Sequence, residues 1–272
     1  MDGAVVVLYN PTITDYQNLK DYSNIVDRTI IIDNSSDDHL SLIQQYVVFG
    51  KGKVIYEHYP ENIGLCEGMN RGIRRLKEEG CSWVLTMDQD SHFRNSIVYI
   101  FRKYVNTNDC HDIAIIAPQY EYDRNKKRKK KANREIKWSM LSGNYVNTEV
   151  FLRIGGFKKE FFVDGLDIEY CLRARKMGYR IIESNEAVLI HSPASTREIR
   201  ILGKTVFKYG IASSKRYYYQ ARACAWIVKR YKDPTVFLIC IYKYIKILLL
   251  FANKKEYLKE YHKGIREGIK LE

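Results

Sequence analysis

The sequence predicts an α/β fold on a parallel sheet, and three observations predict it. Short apolar runs, such as AVVVLY at 4–9 and RTIIID at 28–33, recur without polar alternation, as strands buried on both faces require. Segments with helical apolar spacing separate those runs, the alternation that builds βαβ units. Three of the runs end in side chains suited to ligands: Tyr9-Asn10, Asp33-Asn34 and Asp88-Gln89-Asp90. Ligands in parallel sheets bind beyond the carboxyl ends of the strands, so these residues are expected along one edge.

The elements follow in order. Ala4–Tyr9 is the first strand and 15–26 the first helical segment. Arg28–Asp33 is the second strand, Leu40–Val48 a helix, and Lys53–Glu57 the third strand. Over 62–80 the residues Leu65, Met69, Ile73 and Leu76 repeat at helical spacing, with Gly80 as the stop. Ser82–Met87 is the fourth strand, and it delivers Asp88 and Asp90. Residues two apart in a strand share a face, so these carboxylates repel each other unless a cation sits between them. A solvated turn is the alternative for an isolated pair of this kind, and its convergence with the other strand ends weighs against that alternative.

The second half is less regular. Ile113–Ala117 is a strand, followed by a basic run at 124–134, RNKKRKKKANR. Such runs are solvated loops or patches attracted to an anionic membrane face. No aromatic platform or recognition motif accompanies it, so nucleic acid is not expected as a partner. A helix begins at Leu166 and stops at Gly178, with Asp164 and Asp167 at its start. That spacing suits helix capping, and it equally suits a base held ionised by the helix dipole. After a strand at Arg180–Glu183, the run AVLIH at 187–191 presents His191 beyond a strand end, where an imidazole can join two carboxylates on a metal.

Composition bounds the class. With 272 residues, 46% hydrophobic and 13% aromatic, the chain can bury a sizeable core. A net charge of +13 points to anionic partners such as nucleotides or phospholipid surfaces. The cysteines form no C-x-x-C pair, which fits reduced thiols in a cytoplasmic protein better than a disulfide framework or a zinc site. The opening Met1-Asp2-Gly3 lacks the basic region of a signal peptide.

Taken together, VVVLYNP, IIIDNSS, ENIGLCEGMNRGI, VLTMDQDS, SGNYVN, IGGFKKEFFVDGLDIEYCLRARKMGYRI and AVLIHSPAS resemble the family 2 glycosyltransferases, over roughly residues 4–195. MDQDS and FFVDGLDIEYCLRAR are similar to the bacterial rhamnosyltransferases of O-antigen and capsular polysaccharide synthesis. The resemblance implies a GT-A fold: a catalytic domain over 1–195, with a Rossmann-like nucleotide-binding half and a mixed sheet, and a C-terminal helical extension over 196–272. It implies an inverting transfer from a nucleotide-sugar, dTDP-rhamnose or alternatively UDP-galactose or UDP-N-acetylglucosamine, to a saccharide or a polyprenyl-diphosphate-linked glycan. Asp88 and Asp90 match the D-x-D pair that binds Mn²⁺ or Mg²⁺, with His191 completing the metal site. Tyr9, Asn10 and Asp33 match positions that hold base and ribose, and Asn62, Gly64 and Asn70 match positions near the nucleotide. Asp167 matches the catalytic base, with Asp164 and Glu169 as neighbours that orient substrate or helix. A nucleotidyltransferase is the remote alternative, but the first strand ends in LYNP rather than in a glycine-rich, lysine-bearing loop.

The C-terminal region bears on location. Residues 205–231 are aromatic and basic, and 236–252 are apolar except for Lys243 and Lys246. A spanning helix needs about 20 apolar residues. Each lysine near the bilayer centre would cost about 2.5–3.5 kcal/mol. Two arrangements remain. The helix lies in the membrane interface with its lysines snorkelling, on the cytoplasmic face of the inner membrane, or it packs on the catalytic domain or on a second subunit.

Overall fold

The parallel alternation is present through the fourth strand. In the computed structural model, which describes residues 1–50, 53–122, 132–191, 195–201 and 203–271, the chain runs β1 (Asp2–Leu8), α1 (Ile13–Ser23), β2 (Arg28–Asp33), α2 (Leu40–Ile43), β3 (Val54–His58), α3 (Gly64–Glu78) and β4 (Trp83–Asp88). Most of the basic run at 124–134 lies outside the described residues. Helix α2 is shorter than the expected 40–48, because Tyr46-Val47-Val48-Phe49 are aromatic and β-branched residues of low helix propensity.

The chain continues as β5 (His92–Phe93), α4 (Ile97–Thr107), β6 (Ile113–Glu121), β7 (Arg134–Glu135), β8 (Asn144–Asn147), α5 (Thr148–Ile154), α6 (Leu166–Lys176) and β9 (Arg180–Ile190). The main sheet has the order β3-β2-β1-β4-β8-β6-β9-β5, with β7 also on β9. Strands β1 to β4 pair in parallel, whereas β8 runs antiparallel to both β4 and β6, so the sheet is mixed. The expected strands at 180–183 and 187–190 are one strand. Its polar interruption at Ser184 and Asn185 survives because Gln119 donates its side-chain amide to both carbonyls, where the β6 register shifts.

Alternation along β1 explains the two cores. Val5 and Val7 face Met69, Ile73 and Leu76 of α3, while Ala4, Val6 and Leu8 face Tyr16 and Leu19 of α1 and the α4 layer. Both faces are covered, as the unbroken apolar runs require.

The C-terminal extension is not helical from its start. A two-stranded antiparallel hairpin, β10 (Ser195–Ile201) and β11 (Lys204–Ile211), precedes α7 (Ser214–Tyr231), α8 (Pro234–Leu250) and α9 (Lys254–Lys270). Helix α9 packs on α7 through two glycines one turn apart. A Cβ at Gly264 would lie 2.3 Å from the Tyr218 carbonyl oxygen, and one at Gly268 would lie 2.2 Å from that of Arg222. Backbone atoms cannot swing aside as a side chain can. Gly264→Ala is therefore expected to destabilise by about 1–3 kcal/mol, despite alanine's better helix propensity, as read from urea midpoints. An unchanged or raised midpoint would show that this seam is loose.

Helix α8 has two unlike faces. Phe237, Leu238, Ile241, Ile245, Leu248 and Leu249 are exposed, whereas Val236 and Ile247 are buried. Lys243 and Lys246 lie on the inward side, turned away from the apolar outer face, so they do not snorkel along its rim. Among the described residues no helix is long and apolar enough to cross a membrane.

Candidate active site

The carboxyl ends of β1, β4 and β9 meet α6 and the first two helices of the extension around one cleft of about 760 Å³. Asp88 is the last residue of β4, opposite Val7, and its backbone N–H donates to Ser142 Oγ at 3.0 Å. Asp90 is no longer in the strand. A turn closed by the Ser91 N–H on the Asp88 carbonyl carries it back beside Asp88. The two carboxylates are thus juxtaposed by a turn rather than by strand alternation.

His191 arrives from a hundred residues away because β5 pairs antiparallel with the end of β9, His92 opposite Ile190. That pairing sets the Ser91 hydroxyl 2.8 Å from the His191 Nδ1. The ring then stands 3.9 Å from an Asp88 oxygen and 3.8 Å from one of Asp90. One ligating atom from each of the three residues lies within 4.8 Å of the others. Burial holds the His191 pKa below its ordinary value, against the opposing pull of Asp90, so the imidazole is neutral and can ligate. Asp88 is pushed up to about 7, by desolvation in the cleft first and then by the Asp90 and Asp164 charges, with Arg216 opposing. A strained carboxylate pair with a neutral imidazole fits a hard or borderline divalent cation such as Mg²⁺ or Mn²⁺.

Asp164 and Asp167 are not capping residues. The cap position of α6 is Gly165 (φ +87°), with no side-chain cap, and a Cβ there would meet Ala223 of α7 at 2.4 Å. Asp164 instead makes a paired contact with Arg216 of α7, at 2.8 and 2.9 Å. Asp167 lines the cleft and accepts the Ile168 N–H at 2.8 Å. Its carboxyl is not held low by the helix dipole, as expected, but pushed up to about 6. Burial is the main cause, the Asp164 and Asp88 charges add to it, and the Ile168 N–H works against it.

Of the expected nucleotide-site residues, Tyr9 and Asn62 line the cleft. The Tyr9 N–H donates to Gln89 Oε1 at 2.7 Å, tying the ends of β1 and β4 together. The Asn62 carboxamide accepts the Gly64 N–H at 2.8 Å and shapes the entry to α3. Gly64 (φ +85°) lets Phe162 approach, since a Cβ would lie 2.7 Å from the phenyl ring. Asn10 is exposed and lies off the cleft lining, its N–H donating to Ser35 Oγ at 2.8 Å.

Three others turn to protein partners off the cleft lining, which for Glu169 is the helix-orienting alternative. Asp33 is fully buried, accepting from the Ser35 N–H and the Tyr56 hydroxyl, with the His39 ring 2.8 Å away. Burial would raise its pKa, but these hydrogen bonds outweigh it and hold the carboxyl below its usual range. Asn70 is buried too, donating to the Phe157 carbonyl and accepting the Phe157 N–H, both at 2.8 Å, so it clamps a loop rather than facing the cleft. Glu169 points to the opposite side of α6, bound by Arg173 and by the Tyr231 hydroxyl at 2.7 Å. All three carry the polar chemistry of a site, yet protein partners satisfy it.

Asn34 and Gln89, at the expected strand ends, also line the cleft with Lys243 and Lys246, whereas the lining residues Arg216 and Gln220 carry no local signature. Arg216 sits 52 residues from its partner Asp164, in a helix that the sequence shows only as aromatic and basic.

The chain is similar to known proteins in sequence and in fold. The model for glycosyl transferase family 2 matches residues 13–168. The chain is 26% identical to the dTDP-rhamnosyl transferase RfbF of Shigella flexneri, over 98% of this chain and 95% of that protein. Among solved structures it resembles residues 1–349 of S. aureus TarS in complex with UDP, with a TM-score of 0.58 and 12% identity, over 99% of this chain and 72% of that one. It also resembles the mannosyltransferase PcManGT of Pyrobaculum calidifontis in complex with GDP-Man and Mn²⁺, with a TM-score of 0.59 and 13% identity, over 97% and 73% of the two chains.

Proposed function

The chain belongs to glycosyl transferase family 2 and has the GT-A fold, and from that premise we propose that it is an inverting rhamnosyltransferase using dTDP-rhamnose. One observation carries this reading: Asp88, Asp90, His191 and Asp167 converge in one cleft at the strand ends. The relation to a dTDP-rhamnosyl transferase along nearly the full length supports the choice of sugar.

In the reaction, an acceptor hydroxyl gives its proton to Asp167 and attacks the anomeric carbon from the face opposite the nucleotide. The new C–O bond forms as the bond to the diphosphate breaks, and that electron pair leaves with the nucleotide. Asp167 suits the role of base because it borders the cleft with a pKa of about 6, poised to accept a proton near neutrality. Arg216, held by Asp164 and close enough to Asp88 and Asp90 to lower the charge density there, keeps the strand ends receptive to a diphosphate. Tyr9 and Asn62 border the nucleotide. Asp33, Asn70 and Glu169 support the cleft from behind through their internal bonds. Asp88, Asp90 and His191 would hold Mn²⁺ or Mg²⁺, which when bound offsets the charge of the diphosphate.

The reading is tested by thermal shift with dTDP-rhamnose, UDP-galactose, UDP-N-acetylglucosamine and the free nucleotides, each with and without Mn²⁺. A ligand at about 100 times its dissociation constant adds roughly 2.7 kcal/mol of apparent stability. Selective, metal-dependent stabilisation by dTDP-rhamnose is expected; selective response to a UDP-sugar would reassign the donor.

The acceptor in this reading is a saccharide or a polyprenyl-diphosphate-linked glycan, reached at the cytoplasmic face of the inner membrane. The outer face of α8 supports that location, because it exposes six large apolar side chains between the exposed cations Lys229, Arg230 and Lys232 before it and Lys254 and Lys255 after it. An amphipathic element with a basic surround binds anionic lipid. Flotation with phosphatidylglycerol vesicles is expected to carry the protein upward, and Leu238→Glu/Leu249→Glu to abolish this. Dimerisation without lipid, lost in the same variant, would assign the face to a second copy.

A further inference from the structure

We propose that Met140 reads the donor sugar, selecting a 6-deoxyhexose through its methyl group. This inference rests on the glycosyl-transfer reading above and deepens it.

Inversion constrains where the sugar lies. Attacking oxygen, anomeric carbon and leaving oxygen stand roughly in line, so the ring must occupy the space between the diphosphate at the strand ends and the base Asp167. One segment spans that space. The Ser142 hydroxyl accepts the Asp88 N–H at 3.0 Å, and at the other end of the segment Ser139 hydrogen-bonds the Cys171 thiol, one turn beyond Asp167 on the same side of α6. Met140 and Leu141 lie between these ties, and both line the cleft.

The segment is held firmly. The Tyr120 hydroxyl donates to the Met140 carbonyl at 2.8 Å, the Thr86 hydroxyl to the Leu141 carbonyl at 2.6 Å, and the Ser139 hydroxyl to the Asn144 side-chain oxygen at 2.8 Å. Leu141 is buried in the core beneath. Met140 is not. It is half-buried, and among the described residues it belongs to no apolar core. A large apolar side chain left at a cleft wall, on a backbone fixed in this way, keeps its contact surface for a ligand.

The chemistry of the side chain decides which part of the sugar it meets. A thioether accepts hydrogen bonds only weakly, and the Met140 and Leu141 carbonyls are already engaged. A sugar hydroxyl turned to this wall would lose water and gain no good partner, whereas a methyl group gains from the same burial. Leu166 and Ile168, on either side of Asp167, extend the apolar lining. A 6-deoxyhexose has one apolar substituent, the methyl on C5, and its ring binds with that group on Met140. Unbranched and polarisable, the Met140 side chain can close around a methyl without a rigid socket.

The test titrates dTDP-L-rhamnose and dTDP-L-mannose, which differ by one hydroxyl at C6, into the full chain with Mn²⁺ by calorimetry, with dTDP and UDP as nucleotide controls. Wild-type protein is expected to prefer dTDP-L-rhamnose by about 10–100-fold, the range over which an apolar pocket discriminates a small substituent. Met140→Gln places an amide at the wall and is expected to bring the two affinities together while dTDP still binds. Met140→Leu, which keeps the wall apolar, is expected to hold the preference. Equal affinities in wild-type protein overturn the proposal, as does a preference that survives in Met140→Gln. Loss of dTDP affinity in Met140→Gln also overturns it, by giving the side chain a role in nucleotide binding or in the fold. Binding of UDP in place of dTDP would instead sink the choice of donor, and binding of neither nucleotide would sink the glycosyl-transfer reading itself.

Discussion

Asp167→Asn is expected to lower turnover by roughly 10²–10⁴-fold while nucleotide affinity stays close to wild type. The amide keeps the size of the carboxylate and can still accept the Ile168 N–H, so the local fold of α6 should survive. What it loses is the ability to take a proton. The wild-type carboxyl is pushed up to about 6 by burial and by the charges of Asp164 and Asp88. A base works in its ionised form, so the rate should rise as pH passes upward through about 6 and level off above it. In the Asn variant that rising limb should vanish from whatever activity remains. Asp167→Glu separates position from chemistry: the acid is kept but moved by one methylene, and partial activity with a retained limb is expected. Full turnover in Asp167→Asn would remove Asp167 from the reaction and leave it a cleft-lining carboxylate.

The path from sequence to this site shows what a chain displays locally and what it hides. The strand ends were legible because buried parallel strands are unbroken apolar runs, and Asp88 interrupts one abruptly. Asp167 and His191 were legible through family motifs that sit at element ends. Asp33, Asn70 and Glu169 have the same residue types at similarly placed positions, yet they turn to Tyr56, Phe157 and Arg173 instead. Only the neighbours decide whether a polar side chain near a strand end serves a ligand or the protein, and those neighbours are distant in sequence. The same holds for Arg216 and for the α8 lysines. In the sequence Lys243 and Lys246 interrupt an apolar run and invite a snorkelling interpretation, but the packing of α8 on α7 turns them inward. The hairpin β10–β11 was hidden for a different reason. Its residues are exposed or only half-buried and alternate weakly, so they carry little of the apolar period that marks a strand.

Asp90→Ala is expected to abolish the metal dependence of donor binding. Three groups approach one another here, and two of them, Asp88 and His191, are held in place by backbone and hydroxyl contacts that the substitution leaves intact. The site would thus persist with one carboxylate missing. Loss of an outer contact to a metal ligand already weakens metal binding by about 10–100-fold, so loss of a ligand should weaken it by more. The stabilisation given by donor with Mn²⁺, roughly 2.7 kcal/mol at 100-fold saturation, should then fall to the level seen with EDTA. The apo protein offers a contrasting readout. Asp90 is one of the charges that raise Asp88, so without metal the variant should be no less stable than wild type, and more stable where the repulsion dominates. A structural carboxylate would behave in the opposite way, with stability lost and the Mn²⁺ response kept. Asp90→Ala protein that melts early yet still shows the full metal-dependent shift would reduce the Asp88-Gln89-Asp90 turn to a feature of the fold.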